Sequence, residues 1–257
     1  SLSLSLSLSL SLSLSLYHLD SLTRKGHGVT FADLGEEVSE DIQRMHHPFF
    51  KHSWATCLSS VPTLHRLLQK GVAVLDIGCG GGGSSFAVAR AFPNSTIVAI
   101  DPDESSISRA TLQLRESPDI DNLCFIQADV ESFVEHFMAS NEDFFKSRGA
   151  LEFLHKRRVW MPAKFTLVTA YDVVHDMKDP VGSLRAMRTA LTHTTTTTTT
   201  SATTTPSSQT SDEEEGGFLF WSEPFGSRNP MNNRNTQAKM RAAVSPLHCM
   251  TVSLAQG

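Results

Sequence analysis

Hydrophobic residues in this chain fall into short, almost unbroken runs, separated by stretches where they recur every three or four positions. The runs are Val72–Ile77, Thr96–Ile100, Leu123–Gln127, Phe165–Ala170 and Phe218–Trp221. A strand covered on both faces reads this way, because side chains pointing to either side avoid water. The intervening spacing predicts helices over Ser84–Ala91, Ser105–Arg115, Phe133–Met138 and Val181–Leu191. Pro93, Pro118 and Pro180 stand where helices should stop or start. Strand and helix in regular alternation predict an α/β fold, a doubly wound and mostly parallel sheet with helices on both faces.

The flanks follow other patterns. Residues 1–16 alternate Ser and Leu without a break, a low-complexity repeat expected to be disordered and lacking the basic and apolar regions of a signal peptide. Residues 17–60 are expected to form a helical lead-in, with Phe31, Leu34, Val38, Ile42 and Met45 on one face. The main domain is expected over residues 61–257, interrupted by a charged and aromatic insertion at 140–161 and by a threonine tract with an acidic end at 194–215. The second insertion has too little apolar surface to offset the entropy of ordering it, and is read as a disordered loop.

Composition narrows the partners. The 257 residues are 40% hydrophobic and 19% charged, enough for one domain with a core. A net charge of -5 offers no basic footprint for a phosphate backbone, so nucleic acid is not expected as a partner. Four cysteines, Cys57, Cys79, Cys124 and Cys249, show no C-x-x-C pair and no zinc-like spacing to histidine, so no metal is expected. They read as reduced thiols in a cytoplasmic protein. No apolar run approaches the roughly 18 residues of a membrane-spanning helix, so no membrane partner is expected.

The strongest chemical signal is Val74-Leu75-Asp76-Ile77-Gly78-Cys79-Gly80-Gly81-Gly82-Gly83, a strand that ends in a glycine turn and enters a helix at Ser84. Such a turn lets backbone approach a ligand closely and is expected to present amide N–H groups to it. Gly78, Gly80 and Gly83 satisfy G-x-G-x-x-G, and Asp101 follows Gly83 by 18 residues, a spacing that suits NAD as well as other adenosine cofactors. Asp76 discriminates between them. A carboxylate beside the turn repels a diphosphate and attracts the ammonium of a methionine tail, which favours S-adenosylmethionine.

Asp76-Ile77-Gly78-Cys79-Gly80-Gly81-Gly82 resembles the D-x-G-x-G-x-G motif of class I S-adenosylmethionine-dependent methyltransferases. Ile97–Asp101 is similar to the second-strand acid segment of that family, Phe125–Asp129 to its third, and Phe165–Asp176 to its fourth strand and following loop. The segment near Gly26, residues 172–180 and residues 247–257 resemble a bacterial and fungal subgroup with an N-terminal winged-helix segment, of which no counterpart is expected in residues 17–60. The resemblance implies that the backbone of Gly78, Gly80 and Gly82 holds the methionine part, that Asp101 holds the ribose, and that Asp129 and Val130 meet the adenine.

A methyltransferase of this kind acts on a small-molecule acceptor, and His175 is the candidate to take a proton from it. A loop histidine that merely bonds Asp172 or Asp176 is the plainer alternative. Glu223, His248 and Cys249 are weaker candidates for lining the acceptor pocket. Cys79 reads as a packing residue. The chain stops at Gly257, before the final antiparallel hairpin expected of the family, which predicts an apolar edge at the fifth strand. Two other functions stay open: a non-catalytic cofactor-binding remnant and an NAD-dependent oxidoreductase. Against the latter stand Asp76 and the lack of an evident hydride-transfer pair.

Overall fold

The computed structural model describes residues 36–148, 162–192 and 216–223. The Ser-Leu repeat, the segment near Gly26, the threonine tract, His248 and Cys249 lie outside the described residues. Helices α1 (Glu36–Phe49), α2 (Ala55–Ser59) and α3 (Pro62–Lys70) come first, with one wide π-type turn at Phe50–Trp54. Then follow β1 (Ala73–Ile77), α4 (Gly83–Ala91), β2 (Thr96–Asp101), α5 (Glu104–Arg115), β3 (Leu123–Gln127), α6 (Val130–Met138) and α7 (Glu142–Ser147). The described elements end with β4 (Leu167–Tyr171), α8 (Pro180–Ala190) and β5 (Phe218–Ser222).

The five strands form one sheet in the order β3-β2-β1-β4-β5, every pair parallel. The doubly wound sheet expected from the sequence is therefore present. Alternation along each strand divides the core into two layers. Leu75, Ile77, Val98, Ile100, Ile126, Val168 and Ala170 face α6 to α8, meeting Phe133, Phe137, Phe145 and Met187. Val74, Ile97, Ala99, Leu123 and Leu167 face the other way, meeting Trp54, Leu58, Leu64, Leu68 and Phe86. Each fully buried large side chain contributes about 1.5–3 kcal/mol, so the helices before residue 61 are bound firmly to the sheet.

Three details differ from the sequence pattern. Met45 is 63% exposed, although Val38 of the same expected face is buried and Phe49 and Phe50 pack against the core. The beginning of the 140–161 segment is part of the core: Asn141 caps α7 by accepting a bond from the Phe144 amide, and Phe144 and Phe145 are buried. A six-residue helix is too short to show a period, which is why its mixture of charge and aromatics reads as an insertion. Finally, β5 pairs only with β4 among the described residues and leaves Leu219 and Trp221 exposed, so it is not covered on both faces.

Candidate functional site

The strand order reverses direction between β1 and β4, and in sheets of this kind ligands settle outside the carboxyl ends of the strands at that point. The glycine turn after β1 lies there. Gly78, Gly80 and Gly82 all adopt the left-handed region, with φ of 65°, 51° and 85°. At Gly80 an added Cβ would meet nothing within 4 Å, so its face is open; at Gly78 it would lie 2.2 Å from Val173 Cγ2. Most of the turn's amides are already bonded. Gly78 and Cys79 both donate to Ile100 O, Gly82 donates to Cys79 O, and Gly80 donates to Asp101 Oδ2 at 2.8 Å. This corrects the expectation of ligand-facing N–H groups: the turn is not a ready-made diphosphate cradle.

Asp76 is 3% exposed and lies beneath the turn. Its Oδ2 accepts bonds from Ser84 and Ser85, both at 2.5 Å, and its Oδ1 accepts from Thr169 at 2.7 Å. Burial pushes its carboxyl up, against the three hydroxyls that pull it down. A buried carboxylate needs donors, and the fold supplies them from α4 and β4. The arrangement thus places the Asp76 carboxyl beneath the turn, with both of its oxygens bonded to hydroxyls.

Asp101 ends β2, with Oδ1 accepting from the Asp103 amide at 2.9 Å and Oδ2 from Gly80. Each oxygen keeps a second lone pair with which to accept a hydroxyl. Burial raises Asp101 to about 6, opposed by its two backbone bonds. Between the ordinary carboxyl range and pH 6 the folded protein holds a proton that the unfolded chain has released. The stability associated with that proton is present at low pH and is lost as pH rises through about 6. Relative to an Asp101→Asn variant, the parent is expected to lose about 1 kcal/mol between pH 5 and 7, measured by urea unfolding at both values; equal slopes would reject this.

Asp129 caps α6 by accepting from the Ser132 amide at 2.7 Å. The Val130 side chain is buried in the core, so what it can offer a ligand is its backbone. Cys79 is also buried, and burial, with Asp101 and Asp76 nearby, drives its thiol well up. That suits packing and not nucleophilic chemistry.

His175 sits in a 3-10 turn, Val174–Asp176, just past β4. Its Nδ1 is 2.5 Å from Glu223 Oε2, and its Nε2 is 3.4 Å from Asp176 Oδ1. Asp172, at φ 56°, stands 3.9 Å from His175 Nδ1 through Oδ1 and 3.0 Å from His46 Nε2 through Oδ2. Glu223 Oε1 accepts from the Val174 amide at 2.7 Å, the Val173 amide at 3.3 Å and the Trp221 indole at 2.9 Å. Burial would lift the Glu223 carboxyl, but the bonds from His175, Trp221 and Val174 outweigh it and hold it low. Sequence reading singled out His175 and Glu223 separately; the structure joins them.

Two residues of α1 were missed altogether. Gln43 donates through Nε2 to Gly81 O at 3.3 Å, and His46 reaches Asp172. Both lie in a helix that precedes the recognisable motifs, and only folding lays it across the turn. The Phe50 ring follows against Gly83.

Residues 68–222 match a family model described as a methyltransferase domain. A ubiquinone biosynthesis O-methyltransferase of Agrobacterium fabrum is 50% identical over 56 residues, 22% of this chain and 21% of that protein. The matched stretch thus spans about a fifth of the curated relative. Among solved structures, the plantazolicin methyltransferase BpumL, in complex with a monoazolic desmethylPZN analog and SAH, gives a TM-score of 0.41 at 16% identity, covering 72% of this chain and 58% of that one. The YcgJ protein of Bacillus subtilis gives 0.35 at 17% identity, covering 52% and 44%. No helix among the described residues is long and apolar enough to cross a membrane.

Proposed function

This chain belongs to the methyltransferase domain family, and from that premise we propose that it transfers a methyl group from S-adenosylmethionine to a small-molecule acceptor. The observation that carries the choice of cofactor is the state of the glycine turn. Its amides at Gly78, Cys79, Gly80 and Gly82 are bonded within the protein, while Asp76 and Asp101 surround it with negative charge. A diphosphate meets repulsion there and few donors, whereas the ammonium and sulfonium of a methionine tail are attracted to that charge.

When bound, S-adenosylmethionine supplies an electrophilic methyl group, and the protein contributes alignment and electrostatics. In this reading the open face of Gly80, flanked by Gly78 and Gly82, receives the methionine portion. Asp101 accepts the ribose hydroxyls with its remaining lone pairs. Asp129 and the Val130 backbone meet the adenine edge at the start of α6. Asp76 holds the turn in place and lends it charge. His175, at the end of β4, takes the proton from the acceptor.

Thermal unfolding in the presence of S-adenosylmethionine, S-adenosylhomocysteine or NAD tests the reading directly. At about 100 times the dissociation constant, a ligand that binds only the folded state adds about 2.7 kcal/mol. For a domain of this size that is a rise of about 5–10 °C. The two sulfur ligands are expected to give such a rise and NAD none; a rise with NAD alone would overturn the proposal.

A further inference from the structure

We propose that Gln43 is a specificity-determining residue of the cofactor site, its side-chain amide donating to the carboxylate of the methionine tail. This role rests on the methyl-transfer reading and deepens it, by adding to the glycine turn a donor from outside the sheet. The tail is a zwitterion, and its two ends have different needs. Its ammonium is drawn to Asp76 and Asp101, while its carboxylate is repelled by them and needs a hydrogen-bond donor. The amides of Gly78, Cys79, Gly80 and Gly82 are spent on Ile100 O, Asp101 and Cys79 O, so the donor is to be found beyond them.

Helix α1 brings one, from ahead of the residues 68–222 that carry the methyltransferase domain. Ser39, Gln43 and His46 are spaced four and three residues apart and so share one face of the helix. That face crosses the carboxyl ends of the strands. Ser39 meets Arg109 and Ser106 of α5, Gln43 meets Gly81, and His46 Nε2 bonds Asp172 at 3.0 Å at the end of β4. The Phe50 ring, one turn further on, lies against Gly83. Gln43 is therefore held over the turn from both sides.

The amide lies close against the turn. Its Nε2 donates to Gly81 O at 3.3 Å, and a Cβ on Gly81 would lie 2.1 Å from Oε1, 2.5 Å from Cδ and 2.7 Å from Nε2. An NH2 group carries two donors in one plane. With one of them spent on Gly81 O, the second is fixed in direction and has no partner among the described residues. The side chain is half-buried, so a ligand can reach it. Being neutral, it donates to the carboxylate without competing for Asp76 and Asp101, whose charge stays available to the ammonium.

Calorimetry of the full chain with two ligands isolates the contact: S-adenosylhomocysteine, and its decarboxylated analogue, which keeps the adenosine, the sulfur and the amine. Gln43→Met removes the donor at similar length. It is expected to weaken S-adenosylhomocysteine about 10-fold, the loss of one hydrogen bond to a charged group. The decarboxylated analogue should stay within about 2-fold of its affinity for the parent. Gln43→Glu sets like charge against the tail and is expected to weaken S-adenosylhomocysteine by more than about 10-fold, without weakening the analogue. Equal weakening of both ligands, or undiminished binding of S-adenosylhomocysteine, overturns the proposal. So does tighter binding of it by Gln43→Glu, since that places the ammonium at Gln43. Should Gln43→Met fail to fold, Gln43→Glu, with the shape of the parent side chain, decides alone. A parent that binds neither ligand would instead overturn the methyl-transfer reading, and this role with it.

Discussion

Gly78→Ala is expected to remove measurable cofactor binding, raising the dissociation constant more than about 100-fold, equivalent to about 2.7 kcal/mol. The new Cβ would lie 2.2, 2.8 and 3.1 Å from Cγ2, Cβ and Cγ1 of Val173. No rotamer of a branched side chain clears all three, so the turn after β1 and the loop after β4 have to part. A φ of 65° adds about 1 kcal/mol for a residue with a Cβ. The displaced loop carries Asp172 and His175 and is held by Glu223, so damage on the cofactor side spreads to the acceptor side. Gly80→Ala is the matched control. Its Cβ would meet nothing within 4 Å, so the protein should lose only about 1 kcal/mol of stability yet bind S-adenosylmethionine weakly, because the ligand occupies that space. Calorimetry on both variants checks the pair; undiminished binding by Gly78→Ala would be incompatible with this account of the turn.

Asp76→Ala is expected to cost about 3 kcal/mol of stability, since a buried acceptor serving three hydroxyls disappears. Ser84, Ser85 and Thr169 would be left around a cavity, with Thr169 keeping only a 3.5 Å approach to Leu75 O. For a domain of this size the melting temperature should fall by about 6–12 °C. Asp76→Asn keeps the volume and one acceptor oxygen, and hydroxyls can reverse their donation toward its NH2, so its loss should be about half as large. Both variants should bind S-adenosylmethionine more weakly, the Asn variant through lost charge alone. A scan showing Asp76→Ala as stable as the parent would mean that the hydroxyl cradle contributes nothing.

Much of the sheet was legible because buried parallel strands announce themselves as apolar runs, and all five coincide with observed strands to within about two residues. Phe165, placed in the fourth strand by its apolar neighbours, makes only an isolated bridge to Leu191, and β4 starts at Leu167. The helices were legible where about two and a half turns or more exposed a period. Capping also followed side-chain type: Asp103, Asp129 and Asp179 each accept an amide of the helix they precede. Helix α7 escaped notice because one and a half turns carry no periodic signal, and Met45 was misplaced because the inward face of α1 runs on from Val38 to His46 and Phe49.

The glycine turn, the acids at the strand ends and the order of strands and helices were written in local sequence, since each depends on residues within a few positions of one another. Where Asp76 spends its charge could not be read locally, because two of its hydroxyl partners are eight and nine residues away and the third is 93 residues on. The same holds for His175 and Glu223, 48 residues apart in the chain, and for His46 beneath Asp172. Parallel pairing of β1 with β4 and of β4 with β5 is what brings these groups to one end of the sheet. Hydrogen bonds reach only about 3 Å, so the choice of partners waited on the tertiary fold.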